Sequence, residues 1–177
     1  MKVKRIIIYI LLLFVLFILQ CSVVNKISLA GITPDICLVF ILSISYLKGS
    51  SYGAGFGFLM GLLFDIYCGY FLGLYCLVFV FIGFAAGKFN KDYFDYNFDL
   101  KVPLLIIGLG DFLYNLAMYA ICFLLFGDMK FLYYLRHLVI PAAIYTMIAG
   151  ALLYRILFLI EQKLSTDERK ADGYFVS

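Results

Sequence analysis

Residues 50–73 read SSYGAGFGFLMGLLFDIYCGYFLG, and the pattern within this stretch decides the fold. Small residues and one acid stand at every fourth position, and they are Gly53, Gly57, Gly61, Asp65 and Gly69. Residues four apart share one face of an α-helix, and the distance from Gly53 to Asp65 is about 18 Å. A glycine face lets another helix approach closely, which promotes helix association in lipid. Because hydrocarbon disfavours a carboxylate, we expect this face to be buried against protein.

The composition is that of an integral membrane protein. Of the 177 residues, 66% are hydrophobic and 14% are charged, whereas a soluble domain is about 45–50% apolar and about 25% charged. A net charge of +3 is too small to indicate nucleic-acid binding. The five cysteines lack the spacing of a zinc site or a redox pair. We therefore expect no nucleic acid, no metal and no cofactor.

Apolar runs divide the first 160 residues into six predicted transmembrane helices in one all-α bundle. The predicted helices are residues 6–24, 34–48, 51–67, 72–87, 102–126 and 138–160. The fifth is expected to be interrupted at Gly108–Asp111. The basic N-terminus and the apolar run after it predict an uncleaved helix, because no small-residue cleavage site follows. Residues 161–177 are predicted to be a short charged tail in solvent.

The distribution of basic residues predicts the orientation in the membrane. Six spans place both termini on one side. If that side is the cytoplasm, three basic residues lie outside and Arg155 lies in the sixth helix. The other ten basic residues lie inside, and they are Lys2, Lys4, Arg5, Lys48, Lys88, Lys91, Lys101, Lys163, Arg169 and Lys170. The positive-inside rule therefore predicts cytoplasmic termini.

Further polar residues fall inside the predicted helices, and they are Asp35, Asp111, Asn115 and Arg155. Asp111 and Asn115 share a face at i,i+4. They could form a substrate or proton site with Arg155, or a buried pair that fixes helix register, which we favour because no second deep carboxylate or histidine accompanies them. Asp35 follows Pro34 at a helix start, where the helix dipole favours a carboxylate.

Asp65 also allows two interpretations, and neither is catalytic. It could contact a ligand, or it could cap the turn after the third helix and pair with Arg136. The only histidine, His137, is predicted at the outer interface. No H-E-x-x-H, G-x-S-x-G or Walker A motif is present, so we expect no enzyme activity.

The order of these features resembles the MreD family of bacterial rod shape-determining proteins. The resemblance covers the whole chain in length and span count, and its motifs lie in residues 34–88. These motifs are Pro34-Asp35, Lys48-Gly49, the G-x-x-x-G-x-x-x-G-x-x-x-D pattern of Gly53 to Asp65, Gly69, Leu72-Gly73-Leu74, and Gly83-Phe84-Ala85-Ala86-Gly87-Lys88.

The resemblance implies a non-catalytic scaffold of the cell-elongation complex in the bacterial cytoplasmic membrane. The implied direct partner is MreC, whose single transmembrane helix and outer domain link it to the peptidoglycan synthases. The wider complex would include RodA, its partner penicillin-binding protein and MreB filaments, with membrane lipid around the bundle. The resemblance gives no role to Asp111, Asn115 or Arg155.

An alternative resemblance is to the substrate-binding S components of energy-coupling-factor vitamin transporters, which have similar length and usually six helices. S components typically carry small residues at four-residue spacing on the first helix, but residues 6–19 are bulky throughout. We therefore favour the scaffold. Gly53, Gly57 and Gly61 could receive a partner helix whose depth Asp65 fixes, or they could pack on another helix of the same chain.

Overall fold

The computed structural model describes residues 2–22, 33–68, 73–89, 101–126 and 139–173, and over these residues the protein is all-helical. The helices are α1 Lys2–Ser22, α2 Ile36–Lys48, α3 Ser50–Cys68, α4 Leu74–Gly87, α5 Lys101–Phe126 and α6 Ile140–Gly173. Three of them, α1, α5 and α6, contain segments long and apolar enough to cross a membrane, and α2 and α4 are shorter apolar helices. The helical class is as predicted, and the six-span arrangement stays a prediction.

Helix α2 is the centre of the bundle. All residues from Cys37 to Leu47 are buried, and α2 contacts each of the other five helices. A helix that is apolar on every side is typical of such a buried position. It begins at Ile36, with Asp35 as its N-cap, and Gly49 at a φ of +94° ends it.

Helices α3 and α4 form an antiparallel pair on one side of α2. Their contact is the most extensive between any two helices of the described chain. Gly73 precedes α4 with a φ of +98°, a left-handed conformation that glycine adopts without steric cost. The short connection and this turn place the start of α4 beside the end of α3.

Helices α5 and α6 pack against each other and against the other side of α2. The predicted interruption at Gly108–Asp111 is wrong, because α5 is continuous from Lys101 to Phe126. A Cβ at Gly108 would lie 2.7 Å from the Met147 sulfur, and one at Gly110 would lie 2.6 Å from a Leu42 methyl carbon. These glycines make room for side chains of neighbouring helices and do not break the helix.

Helix α6 extends past the predicted boundary at residue 160 and ends at Gly173. Its first turn contains Pro141, as the sequence indicates. Glu161, the first residue of the predicted solvated tail, is only 5% exposed. The charged segment therefore begins inside the bundle as a continuation of the helix.

Candidate functional site

The glycine face of α3 packs directly on the backbone of α4. A Cβ at Gly57 would lie 2.6 Å from the carbonyl oxygen of Phe79, and one at Gly61 would lie 2.6 Å from the amide nitrogen of Cys76. Both neighbours are main-chain atoms, which cannot rotate away as a side chain can. We call this contact the glycine seam, and it consists of Gly53, Gly57 and Gly61 on α3 with Gly83 and Gly87 on α4.

The seam is reciprocal and includes the central helix. A Cβ at Gly83 would lie 2.5 Å from the carbonyl oxygen of Gly53. The hydroxyl of Ser45 on α2 donates a hydrogen bond to the carbonyl oxygen of Gly83. The face that the sequence left open to a partner helix or an internal helix is thus occupied by α4 of the same chain.

Asp65 closes the seam by capping α4. Its Oδ1 accepts a hydrogen bond from the backbone N–H of Tyr75 at 2.9 Å, and its Oδ2 accepts one from the N–H of Cys76 at 3.1 Å. These amides lie in the first turn of α4, where no intrahelical acceptor exists, and the N-cap residue Gly73 has no side chain to supply one. Asp65 is 3% exposed, so its charge is held by protein donors. Gly69 and Arg136 lie outside the described residues.

A second group of polar residues joins α2, α5 and α6, and we call it the deep polar cluster: Asp35, Asp111, Asn115 and Thr146. The amide of Asn115 donates to Asp111 Oδ2 at 3.1 Å and to the Asp111 carbonyl at 2.9 Å. Thr146 is fully buried; its hydroxyl accepts the Asp35 N–H at 3.3 Å and lies next to the Asp111 side chain. The cluster therefore links the backbone at the start of α2 to polar side chains of α5 and α6.

The deep polar cluster differs from the predicted site in its members. Arg155 is exposed on α6, whereas Asp111 accepts a hydrogen bond from Asn115 and lies next to Thr146. Sequence reasoning missed Thr146 of α6, which accepts the backbone N–H of Asp35 next to Asp111. It also missed Gln20 on α1, which donates to the Pro34 carbonyl at 3.1 Å and accepts the Ile36 N–H at 3.0 Å.

Three charged residues and one tyrosine form a third group at the opposite end of α2. We call this group the terminal ion cluster, and it consists of Arg5, Tyr9, Lys48 and Glu161. Glu161 accepts a hydrogen bond from the Tyr9 hydroxyl and forms ion pairs with Lys48 and with Arg5, the latter at 3.6 Å. The side chains of Arg5 and Lys48 are 14% and 16% exposed. The cluster ties the start of α1 and the end of α2 to α6.

These polar groups are arranged to hold helices together. Asp65 caps a helix, Asp111 is hydrogen-bonded by Asn115, and Glu161 forms ion pairs with cations of two helices. Within the described ranges, no group of three or more His, Cys, Asp or Glu residues could hold a metal ion.

Comparison with known protein families identifies the family of this chain. The family profile of the rod shape-determining protein MreD matches residues 2–164, which is most of the chain. No curated protein and no solved structure matches, so the likeness to the S-component fold has no support. This family determines cell shape and is not known for catalysis. The chain therefore belongs to the MreD family of rod shape-determining proteins.

Proposed function

We propose that this protein is a non-catalytic membrane scaffold of the cell-elongation complex and that it binds MreC. The match over residues 2–164 carries the proposal, because it covers nearly the whole bundle. The protein would then associate indirectly, through the assembled complex, with RodA, its partner penicillin-binding protein and MreB. This complex organises lateral peptidoglycan synthesis. The polar groups support a structural role, since they bond to one another and to helix ends. No observation favours a vitamin transporter.

We also propose a six-span topology in the bacterial cytoplasmic membrane with both termini in the cytoplasm. The terminal ion cluster supports this, because contacts among Arg5, Lys48 and Glu161 require the start of α1 and residue 161 to lie at the same end of the bundle. Basic residues are concentrated at this end, and the positive-inside rule assigns such an end to the cytoplasm.

MreC would bind an outward face of the bundle in this proposal. The glycine seam is filled by α4, so a partner helix inserted there would have to displace part of the fold. Outward apolar side chains are available on α1, α4, α5 and α6, and Leu11, Phe81, Leu113 and Leu152 are examples.

Site-specific photo-crosslinking in membranes that contain MreC tests this proposal. A photoreactive amino acid is placed singly at Leu11, Phe81, Leu113 or Leu152, one outward position on each of four helices. We expect light-dependent adducts with MreC from one helix or two neighbouring helices, and none from the opposite side of the bundle. If no outward position gives an adduct and MreC does not co-purify with the unmodified chain, direct binding is wrong.

A further inference from the structure

The last turn of α1 and the first turn of α2 each carry a cysteine. Gln20 in the last turn of α1 donates a hydrogen bond to the Pro34 carbonyl at 3.1 Å and accepts one from the Ile36 N–H at 3.0 Å. Cys21 directly follows Gln20, and Cys37 directly follows Ile36. The end of α1 is therefore held against the start of α2, with one cysteine on each side of this contact.

The two cysteines interact with each other across the contact. The structure shows both residues as thiols, and these thiols are close enough to interact electrostatically. Cys37 is 0% exposed, whereas Cys21 is half-buried. A disulfide joins Cα atoms about 4.4–6.8 Å apart, so its cysteines must belong to segments in direct contact, as these two helix turns are. Cys76, the third cysteine whose side chain the structure describes, lies on α4 and interacts with Asp65 instead.

The proposed topology places this contact on the outer side of the membrane. In that topology every cysteine of the chain falls near the outer end of a helix, and the five are Cys21, Cys37, Cys68, Cys76 and Cys122. Disulfides form and persist in the bacterial periplasm, whereas the cytoplasm keeps thiols reduced. The pair of thiols at the α1–α2 contact therefore lies in the compartment that favours its oxidation.

We propose that Cys21 and Cys37 form an intramolecular disulfide that fastens the outer end of α1 to the central helix α2. The proposal rests on the topology given above. The oxidant is a disulfide-bearing thiol oxidase of the cell envelope. The terminal ion cluster already holds the other end of α1, so the disulfide would fix this helix to the bundle at both ends.

The exposure of the two thiols sets the order of the reaction. The half-buried Cys21, as a thiolate, attacks the disulfide of the oxidant, so that a bond between Cys21 and the oxidant forms and one oxidant thiol leaves. The Cys37 sulfur then attacks the Cys21 sulfur and displaces the second oxidant thiol. Two electrons and two protons pass from the cysteine pair to the oxidant, which ends as a dithiol. The buried Cys37 has to meet only Cys21.

A tryptic digest under non-reducing conditions tests for the bond. The full-length chain is produced in an aerobically grown bacterium, and thiols are blocked with N-ethylmaleimide before the membranes are dissolved. Trypsin cuts after Arg5, Lys26 and Lys48, which places the two cysteines on separate peptides, 6–26 and 27–48. We expect mass spectrometry to find these peptides linked and a reductant to separate them.

Cys21→Ala removes the disulfide, and Cys76→Ala is the matched control, because Cys76 is also half-buried and near an outer helix end. We expect Cys21→Ala to lose the linked peptide and to melt in detergent at a lower temperature than the wild type, since the cross-link restricts the unfolded chain. Cys76→Ala should keep the linked peptide in full. A reductant should lower the melting temperature of the wild type and leave that of Cys21→Ala unchanged.

Two results would overturn the proposal. One is recovery of both wild-type peptides as maleimide adducts, which would show that Cys21 and Cys37 remain thiols. The other is a disulfide that joins either of them to a different cysteine. The topology is measured separately with a reporter enzyme at the C-terminus; linked peptides together with a reporter on the outer side would keep the disulfide and reject the topology. None of these measurements requires MreC, so failure of the scaffold proposal would leave their result intact.

Discussion

At the scale of single residues, Asp65 shows how a carboxylate can be stable on an apolar helix face. Helix α4 begins after Gly73, which cannot cap it, and the Asp65 carboxylate on α3 accepts the N–H groups of Tyr75 and Cys76 instead. Positive partial charge at a helix N-terminus favours an anion at this position. The residue is therefore both a helix cap and a fixed point that sets the register of α3 against α4.

Removing this cap should destabilise the protein. We expect Asp65→Ala to lower the free energy of unfolding by about 2 kcal/mol, because two partly buried N–H groups lose a charged acceptor. Asp65→Asn should lower the free energy of unfolding by less, since the asparagine amide oxygen can still accept one of the two hydrogen bonds. Thermal unfolding of the purified protein in detergent measures both changes.

The matched control for Asp65 is Ile66→Ala, one residue further on the exposed side of α3. It should change the melting temperature much less than Asp65→Ala does. An unchanged melting temperature in Asp65→Ala would mean that the carboxylate does not cap α4 in solution.

The deep polar cluster marks the limit of sequence reasoning at this scale. The pairing of Asp111 with Asn115 follows from their i,i+4 spacing, which is a property of one helix. Thr146 could not be identified in the same way, because its contacts with Asp35 and Asp111 join three helices. A threonine in an apolar helix is otherwise an ordinary residue, so the sequence gives no signal of its role.

At the scale of elements, α6 shows why the predicted boundary at residue 160 was too early. Hydropathy falls sharply at Glu161, and a charged segment after a membrane span is usually exposed to solvent. The contacts of Glu161 with Arg5, Tyr9 and Lys48 come from α1 and α2, so no local pattern could reveal them. The helix continues to Gly173 because charged residues such as Glu, Lys and Arg are themselves good helix formers.

Neutralising Glu161 should loosen the end of the bundle that it holds together. We expect Glu161→Gln to destabilise the protein by about 3 kcal/mol, because two largely buried cations lose an ion-pair partner. The melting temperature in detergent should fall accordingly, and proteolysis near the N-terminus should become faster than in wild type.

Lys101→Gln serves as the control for Glu161→Gln, because it removes an exposed charge from α5. It should leave both the melting temperature and the proteolysis rate unchanged. Equal melting temperatures and equal proteolysis rates in the two variants would show that the terminal ion cluster does not contribute to stability.

At the scale of the whole molecule, the sequence is sufficient to predict helices and insufficient to predict their neighbours. Apolar runs indicated six helices, and the small residues indicated that α3 is closely packed. A glycine face looks the same in sequence whether it receives a partner protein or another helix of its own chain. The structure resolves this, because the carbonyl of Phe79 and the amide of Cys76 already occupy the space.

This distinction changes where a partner should be sought. If the seam is internal, substitutions in it act on folding, and loss of MreC in such variants would follow from loss of folded protein. The outward faces of the bundle are then the surfaces where substitutions can alter binding without altering the fold. Gly55 and Gly57 lie on opposite sides of α3, so substitutions at these two glycines can compare the effect of an outward face with that of the seam.

The melting temperatures of Gly57→Ala and Gly55→Ala test the internal seam most directly. Alanine is the better helix former by about 1 kcal/mol at either position. At Gly57 the added methyl would lie 2.6 Å from a backbone oxygen, and overpacking of this kind costs about 1–3 kcal/mol. We predict that Gly57→Ala lowers the melting temperature in detergent and that Gly55→Ala leaves it equal or higher. A higher melting temperature in both variants would contradict an internal glycine seam.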